Sequence, residues 1–143
     1  MVLNLPAVKQ MPPQLFRGMK TYNSERHGDL HIYTFHLRLS SATAVSEGLF
    51  DGLVVYEMAM IMDALIVLPS NVFKGFHVHH AFHIQRLGSL TTIEAGALNG
   101  LKTNRLMISD APKLVTIEKF ILQNTDISET SQDFGQAGIY FFV

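Results

Sequence analysis

Two hydrophobic rhythms divide the chain. From Leu30 to Leu39 apolar and polar positions alternate, with His31, Tyr33, Phe35, Leu37 and Leu39 on one face and Thr34, His36 and Arg38 on the other. A period of two is the signature of a half-buried strand. From Phe76 to Arg86 the same rhythm returns: Phe76, Val78, Phe82 and Ile84 share one face, and His77, His79, His83 and Gln85 the other. Gly88 punctuates this strand, and Leu90 to Leu98 reads as its hairpin partner. Arg105 to Ser109, Lys113 to Gln123 and Ala137 to Val143 are further strand candidates, divided by Asp110-Ala111-Pro112 and the polar run Asn124 to Asp133.

The second rhythm is denser. Between Gly52 and Leu68, Leu53, Val54, Val55, Met58, Met60, Ile61, Met62, Leu65, Ile66 and Val67 spread around a whole helical wheel. That spread predicts a helix buried on nearly every side. Leu68-Pro69 supplies its stop, and the small, polar run Ser40 to Gly48 supplies the loop before it. No internal repeat is apparent. One all-round apolar helix among antiparallel strands buries itself only if a single sheet curls around it. The expected fold is therefore α+β, one domain over residues 1–143, with a long buried helix wrapped by a curved antiparallel sheet. Exposed sheet edges then predict a homodimer or a higher even oligomer.

Composition narrows the partners. The 143 residues include 11 basic and 12 acidic side chains, a net charge of -1, so no broad positive field exists to hold a nucleic acid. Only 16% of residues are charged, below the roughly 25% usual for soluble domains. A partner covering part of the surface accounts for this deficit. The absence of Cys rules out disulfides, thiolate metal sites and a Cys nucleophile. Asp51, Glu57 and Asp63 interrupt the most apolar stretch, so no membrane span is expected. The Pro-containing start lacks a secretory signal and predicts a cytoplasmic protein.

Glu57 is the first candidate for chemistry, because a carboxylate inside so apolar a helix would have its pKa raised by desolvation toward the range of a general acid or base. Asp51 fits a helix cap, and Gly52 would let a ligand carbonyl approach the first-turn N–H groups. Asp63 lies about 120° around the wheel from Glu57 and forms no catalytic pair with it. His77, His79, His80 and His83 place several imidazoles on one strand, but no acidic residue completes a metal motif. A solvated or interfacial histidine face is the expectation, with neither metal nor cofactor. No phosphate loop or nucleophile elbow appears.

Met11-Pro12-Pro13-Gln14-Leu15-Phe16-Arg17-Gly18-Met19, Gly52-Leu53-Val54-Val55-Tyr56-Glu57-Met58-Ala59, Phe73-Lys74-Gly75 and the strand through Phe82 follow one another in an order that resembles the hotdog-fold β-hydroxyacyl-ACP dehydratases. The resemblance implies an acyl-thioester protein of fatty acid or polyketide metabolism, with acyl carrier protein or coenzyme A as carrier. Glu57 would be the catalytic acid and the Gly52 N–H would bind the thioester carbonyl, with Thr43, Leu53 and Tyr56 beside the substrate. Thr43 occupies the place of the family's catalytic His, Asp51 that of a proline and Ile61 that of an amide residue, so the partner of Glu57 would be His36 brought over by loop movement, a residue of a different subunit, or none. The reaction implied is reversible hydration of an enoyl thioester. Thioester hydrolysis is the alternative, or a non-catalytic ligand-binding subunit, including one that completes a heterodimer.

Overall fold

The computed structural model describes residues 1–19, 34–122, 124–127 and 138–142. Among them there is no helix. The elements are β1 (Val2–Asn4), β2 (Gln10–Met11), β3 (Thr34–Arg38), β4 (Ala44–Val45), β5 (Val54–Ile61), β6 (Val67–Leu68), β7 (His77–Gln85), β8 (Thr92–Ile93), β9 (Lys102–Ser109), β10 (Thr116–Ile117), β11 (Asp126–Ile127) and β12 (Gly138–Phe142). Every strand pairing is parallel. β1, β3, β5, β7, β9 and β11 form one sheet in that order, with β12 also beside β9; β6, β8 and β10 form a second, and β2 and β4 a third. The chain is a β-solenoid.

Parallel neighbours cannot be joined by a tight hairpin, and each connection must travel back to the start of the next strand. Here the return is a turn, a two-residue strand and a second turn. Val54 therefore faces His77, His77 faces Lys102 and Lys102 faces Asp126, one coil every 23 to 25 residues. Each coil stacks its inward side chains on those of the last. Val55, Val78 and Thr103 form one such column, Met58, Phe82 and Leu106 the next, and Met60, Ile84 and Ile108 a third. All are buried. A phenylalanine stack runs through the returns: Phe16 lies on Phe50 at 5.6 Å and Phe50 on Phe73 at 5.5 Å, with Phe82 edge-on to Phe73 at 5.1 Å.

The tight turns need left-handed backbone, supplied in register by Gly18, Gly52, Gly75 and Gly100. Stacking makes the requirement stricter at Gly75, where a Cβ would collide with the Asp51 carboxylate and lie 3.3 Å from the Gly52 nitrogen. Side chains join neighbouring turns as well, Asn99 Nδ2 donating to Asn71 Oδ1 at 2.6 Å and Asn124 Nδ2 to Asn99 Oδ1 at 3.1 Å. The last return exposes Val115, Ile117 and Phe120, although Ile117 pairs in register with the buried Ile93. No further coil covers them among the described residues.

The expected α+β hotdog fold is thereby corrected, as are the antiparallel sheet, the hairpin at Gly88 and the absence of a repeat. The stretch expected to be one helix, Gly52 to Leu68, is strand β5, a turn and strand β6. Its apolar residues cover the whole wheel for a different reason. Val55, Met58 and Met60 point inward, and as the chain rounds the corner Met62, Leu65 and Leu68 turn inward too. Val54, Ala59 and Ile61 lie on the outer side, half-buried among neighbouring side chains. The inward and outward assignments in β3 and along Phe76 to Arg86 match the sequence expectation, except beside His80. The part of the first strand from Leu30 to Tyr33 lies outside the described residues. Among the described residues no helix is long and apolar enough to cross a membrane.

Candidate functional site

Alternation directs every second side chain of the large sheet outward, and parallel register aligns them in rows. One row runs Val54, His77, Lys102, Asp126; another runs Thr34, Glu57, Ala81, Arg105; a third runs His36, Ala59, His83, Met107, Tyr140. Between the first two rows the register breaks. β5 spends Tyr56 alone between Val55 and Glu57, β9 spends Asn104 alone between Thr103 and Arg105, and β7 spends both His79 and His80 between Val78 and Ala81. This β-bulge puts consecutive imidazoles on the outer side of the solenoid wall, a device that re-aims side chains at functional surfaces. Inside, the Thr103 hydroxyl donates to the Arg105 carbonyl at 3.1 Å, satisfying the buried polar group at this row.

Around the bulge the side chains meet. The Thr34 hydroxyl donates to Glu57 Oε2 at 2.9 Å. His80 Nδ1 lies 3.4 Å from Glu57 Oε1, in ion-pair range, yet it is buried without a hydrogen-bond partner. Protonation would make it a charged donor to that oxygen. The Tyr56 ring stacks on His80, centroids 5.6 Å apart and planes 12° from parallel, and His77 and His79 approach to 4.2 Å. Burial holds His77, His79 and His83 below the ordinary imidazole pKa. Lys102 adds to the depression at His77 and His77 to that at His79, while Asp126 opposes it at His77. At His83, Glu57 opposes burial, and Arg105 and His80 reinforce it.

The residues proposed from sequence are divided by this fold. Glu57, Tyr56 and His36 share the outer face, where Glu57 is partly exposed instead of sitting inside an apolar helix. His36 lies one strand over and two positions along, lining a shallow groove of about 260 Å³ with Val2, Asn4, Arg38, Ala59 and Ile61. Gly52, Leu53 and Thr43 do not join them. The Gly52 N–H donates to the Gly75 carbonyl at 3.1 Å, and Leu53 is in the core. Thr43 stands on a return, its N–H donating to the Lys9 carbonyl at 3.0 Å. Asp51, expected as a helix cap, lies in a turn, and Asp63 pairs with Arg86 at 3.0 Å. Without a helix, the arrangement that motivated the acyl-thioester reading is missing.

Sequence reasoning did not single out Thr34, Lys102, Arg105 or the pairing of His80 with Glu57. The consecutive His79-His80 within an alternating strand was the available sign of a bulge. Among the described residues no three His, Cys, Asp or Glu side chains are placed to hold a metal ion. No family model matches the chain, and neither a curated protein nor a solved structure matches it.

Proposed function

We propose that this chain is a recognition module that binds a polypeptide through the outer face of its large sheet. The observation carrying this reading is the concentration of aromatic, hydrogen-bonding and ionisable side chains around the bulge, with Thr34, Tyr56, Glu57, His80 and Arg105 at its centre. Solenoids commonly present extended binding surfaces of this kind, and one long strand per coil of about 24 residues lies within the range of leucine-rich solenoids. Tyr and Arg are the residue types that dominate binding energy at protein interfaces. The apolar outward residues Val54, Ala59, Ile61 and Met107 give the face dry area between its charges.

Selection of a displayed peptide library on the immobilised protein tests the reading. Tyr56→Ala and Arg105→Ala are expected to weaken selected peptides at least tenfold, while Lys113→Ala and Lys119→Ala, on exposed parts of the last return, change affinity less than twofold. Binders indifferent to both face substitutions would sink it.

A further inference from the structure

The outer face concentrates titratable imidazoles. His36 on β3 and His77, His79, His80 and His83 on β7 all point to this side, which among the described residues bears only Glu57 and Asp126 as carboxylates. The permanent cations are Arg38, Lys102 and Arg105, with the Met1 amino group donating to the Thr34 carbonyl at the β1 edge. Tyr56 and Tyr140 complete the titratable groups of the face. With the imidazoles neutral, these four cations exceed the two carboxylates by two charges. As the imidazoles take up protons, the face becomes strongly cationic on a protein whose formal net charge is -1. The Glu57 carboxylate is turned toward its own neighbours, accepting from the Thr34 hydroxyl at 2.9 Å and lying 3.4 Å from His80 Nδ1.

We propose that this face captures an extended, acidic stretch of polypeptide when its histidines are protonated and releases it when they are neutral. The inference rests on the reading of the sheet face as a recognition surface and adds the partner's chemistry and its control. Three features select polypeptide over polyanions in general. Cationic positions are interleaved with Ala59, Ile61, Met107 and Val2, which suit apolar side chains between carboxylates. His36 and His83 lie in one row, separated by Ala59 on the intervening strand. Two strand spacings are about 9.6 Å, close to the roughly 9.3 Å that three residues of polyproline II chain advance, and such a chain returns to the same side every third residue, so acidic residues three apart would meet both imidazoles. The groove beside His36 and Arg38 lies at the edge of this row.

Sign follows from linkage. An anion that favours the charged imidazoles binds more tightly as protons are added, and because burial holds His77, His79 and His83 of the free protein below the ordinary imidazole pKa, the gain is complete only once the pH has fallen below those lowered values. The test is fluorescence anisotropy with a labelled twelve-residue peptide carrying Asp at every third position and Val and Ser between, beside its Asn counterpart and a heparin oligosaccharide. The 143-residue chain at pH 5.5 is expected to bind the Asp peptide at least tenfold more tightly than at pH 7.5, and the Asn peptide at least tenfold more weakly than the Asp peptide. The combined substitutions His36→Gln, His79→Gln and His83→Gln should reduce the pH effect to less than twofold, with single His36→Gln and His83→Gln variants each removing part of it should the combination unfold.

Equal affinity at both pH values, undiminished pH dependence in the glutamine variants, or no binding at either pH would overturn the proposal. Heparin binding as tightly as the peptide, with the same pH response, would overturn the polypeptide assignment in favour of recognition by charge alone. Tyr56→Ala and Arg105→Ala separate this failure from failure of the surface reading: if they weaken the Asp peptide at both pH values without a pH effect, the surface stands and only the switch falls. If they leave its binding untouched, the peptide sits elsewhere and both readings fall.

Discussion

The two sides of the large sheet follow opposite rules. Down the inner columns the side chains stay apolar except at Thr103: Val55, Val78, Thr103; Met58, Phe82, Leu106; Met60, Ile84, Ile108. Across the outer rows it changes at every step: Thr34, Glu57, Ala81, Arg105. A solenoid coil contacts only its neighbours, so each inner position has to match the same position one coil away. The outer face has no such obligation. Repetition therefore marks the side that specifies the fold, and variety marks the side free to be specialised for a partner.

Breaking the repeating side should do the most damage. Phe73→Ala removes the ring held between Phe50 and Phe82 and should cost about 3–5 kcal/mol of unfolding free energy, read by denaturant titration. Gly75→Ala strains a left-handed turn against the Gly52 backbone and the Asp51 carboxylate, an expected loss of about 1–3 kcal/mol in the same measurement. A proline-free, glycine-compatible change at an exposed return position such as Lys119→Ala should leave stability within about 0.5 kcal/mol and so calibrates both losses.

The variable side should tolerate more. Glu57→Gln alters a partly exposed pair and should change stability by about 1 kcal/mol or less, while altering recognition at the face. A larger loss would move Glu57 from the specialised side to the structural one. The histidines add a smaller, pH-dependent contribution. The folded pKa values of His77, His79 and His83 lie below the unfolded value near 6.5, so the unfolded chain binds more protons as the solution acidifies. Their contribution is complete above that pH and declines below it. Denaturation midpoints at pH 7.5 and 5.5 should show this decline, and His77→Gln with His79→Gln and His83→Gln should flatten it.

This contrast also explains what the sequence disclosed. Thr34 to Arg38 and Phe76 to Arg86 reveal their strands because outward histidines, Thr and Arg alternate with inward Phe, Leu, Val and Ile. β5 does not, because Val54, Ala59 and Ile61 are apolar on the outer side and Met62 and Leu65 turn inward at the corner. An alternating pattern is also silent on whether a neighbour runs parallel or antiparallel, which is how the hotdog resemblance became available. The repeat is hidden twice over. Its steps vary from 23 to 25 residues, and the first coil reaches Val2 to His36, a far longer interval. Equivalent positions hold Phe50, Phe73 and Leu98, alike in hydrophobicity and unlike in identity. At the candidate site, Glu57 and the histidine strand were legible as residues but not as neighbours. Parallel register brings Thr34, Glu57 and His80 together, and none of them is close in sequence to both of the others.

The most direct test of the outer face as the recognition surface is amide chemical-shift mapping with a peptide selected on the protein. Residues of β3, β5, β7 and β9 are predicted to shift, with the largest changes at Tyr56, Glu57, His79 and His80, and those of β6, β8 and β10 to stay in place. Shifts confined to the β6, β8 and β10 sheet or to the last return, with the bulge undisturbed, would contradict the account.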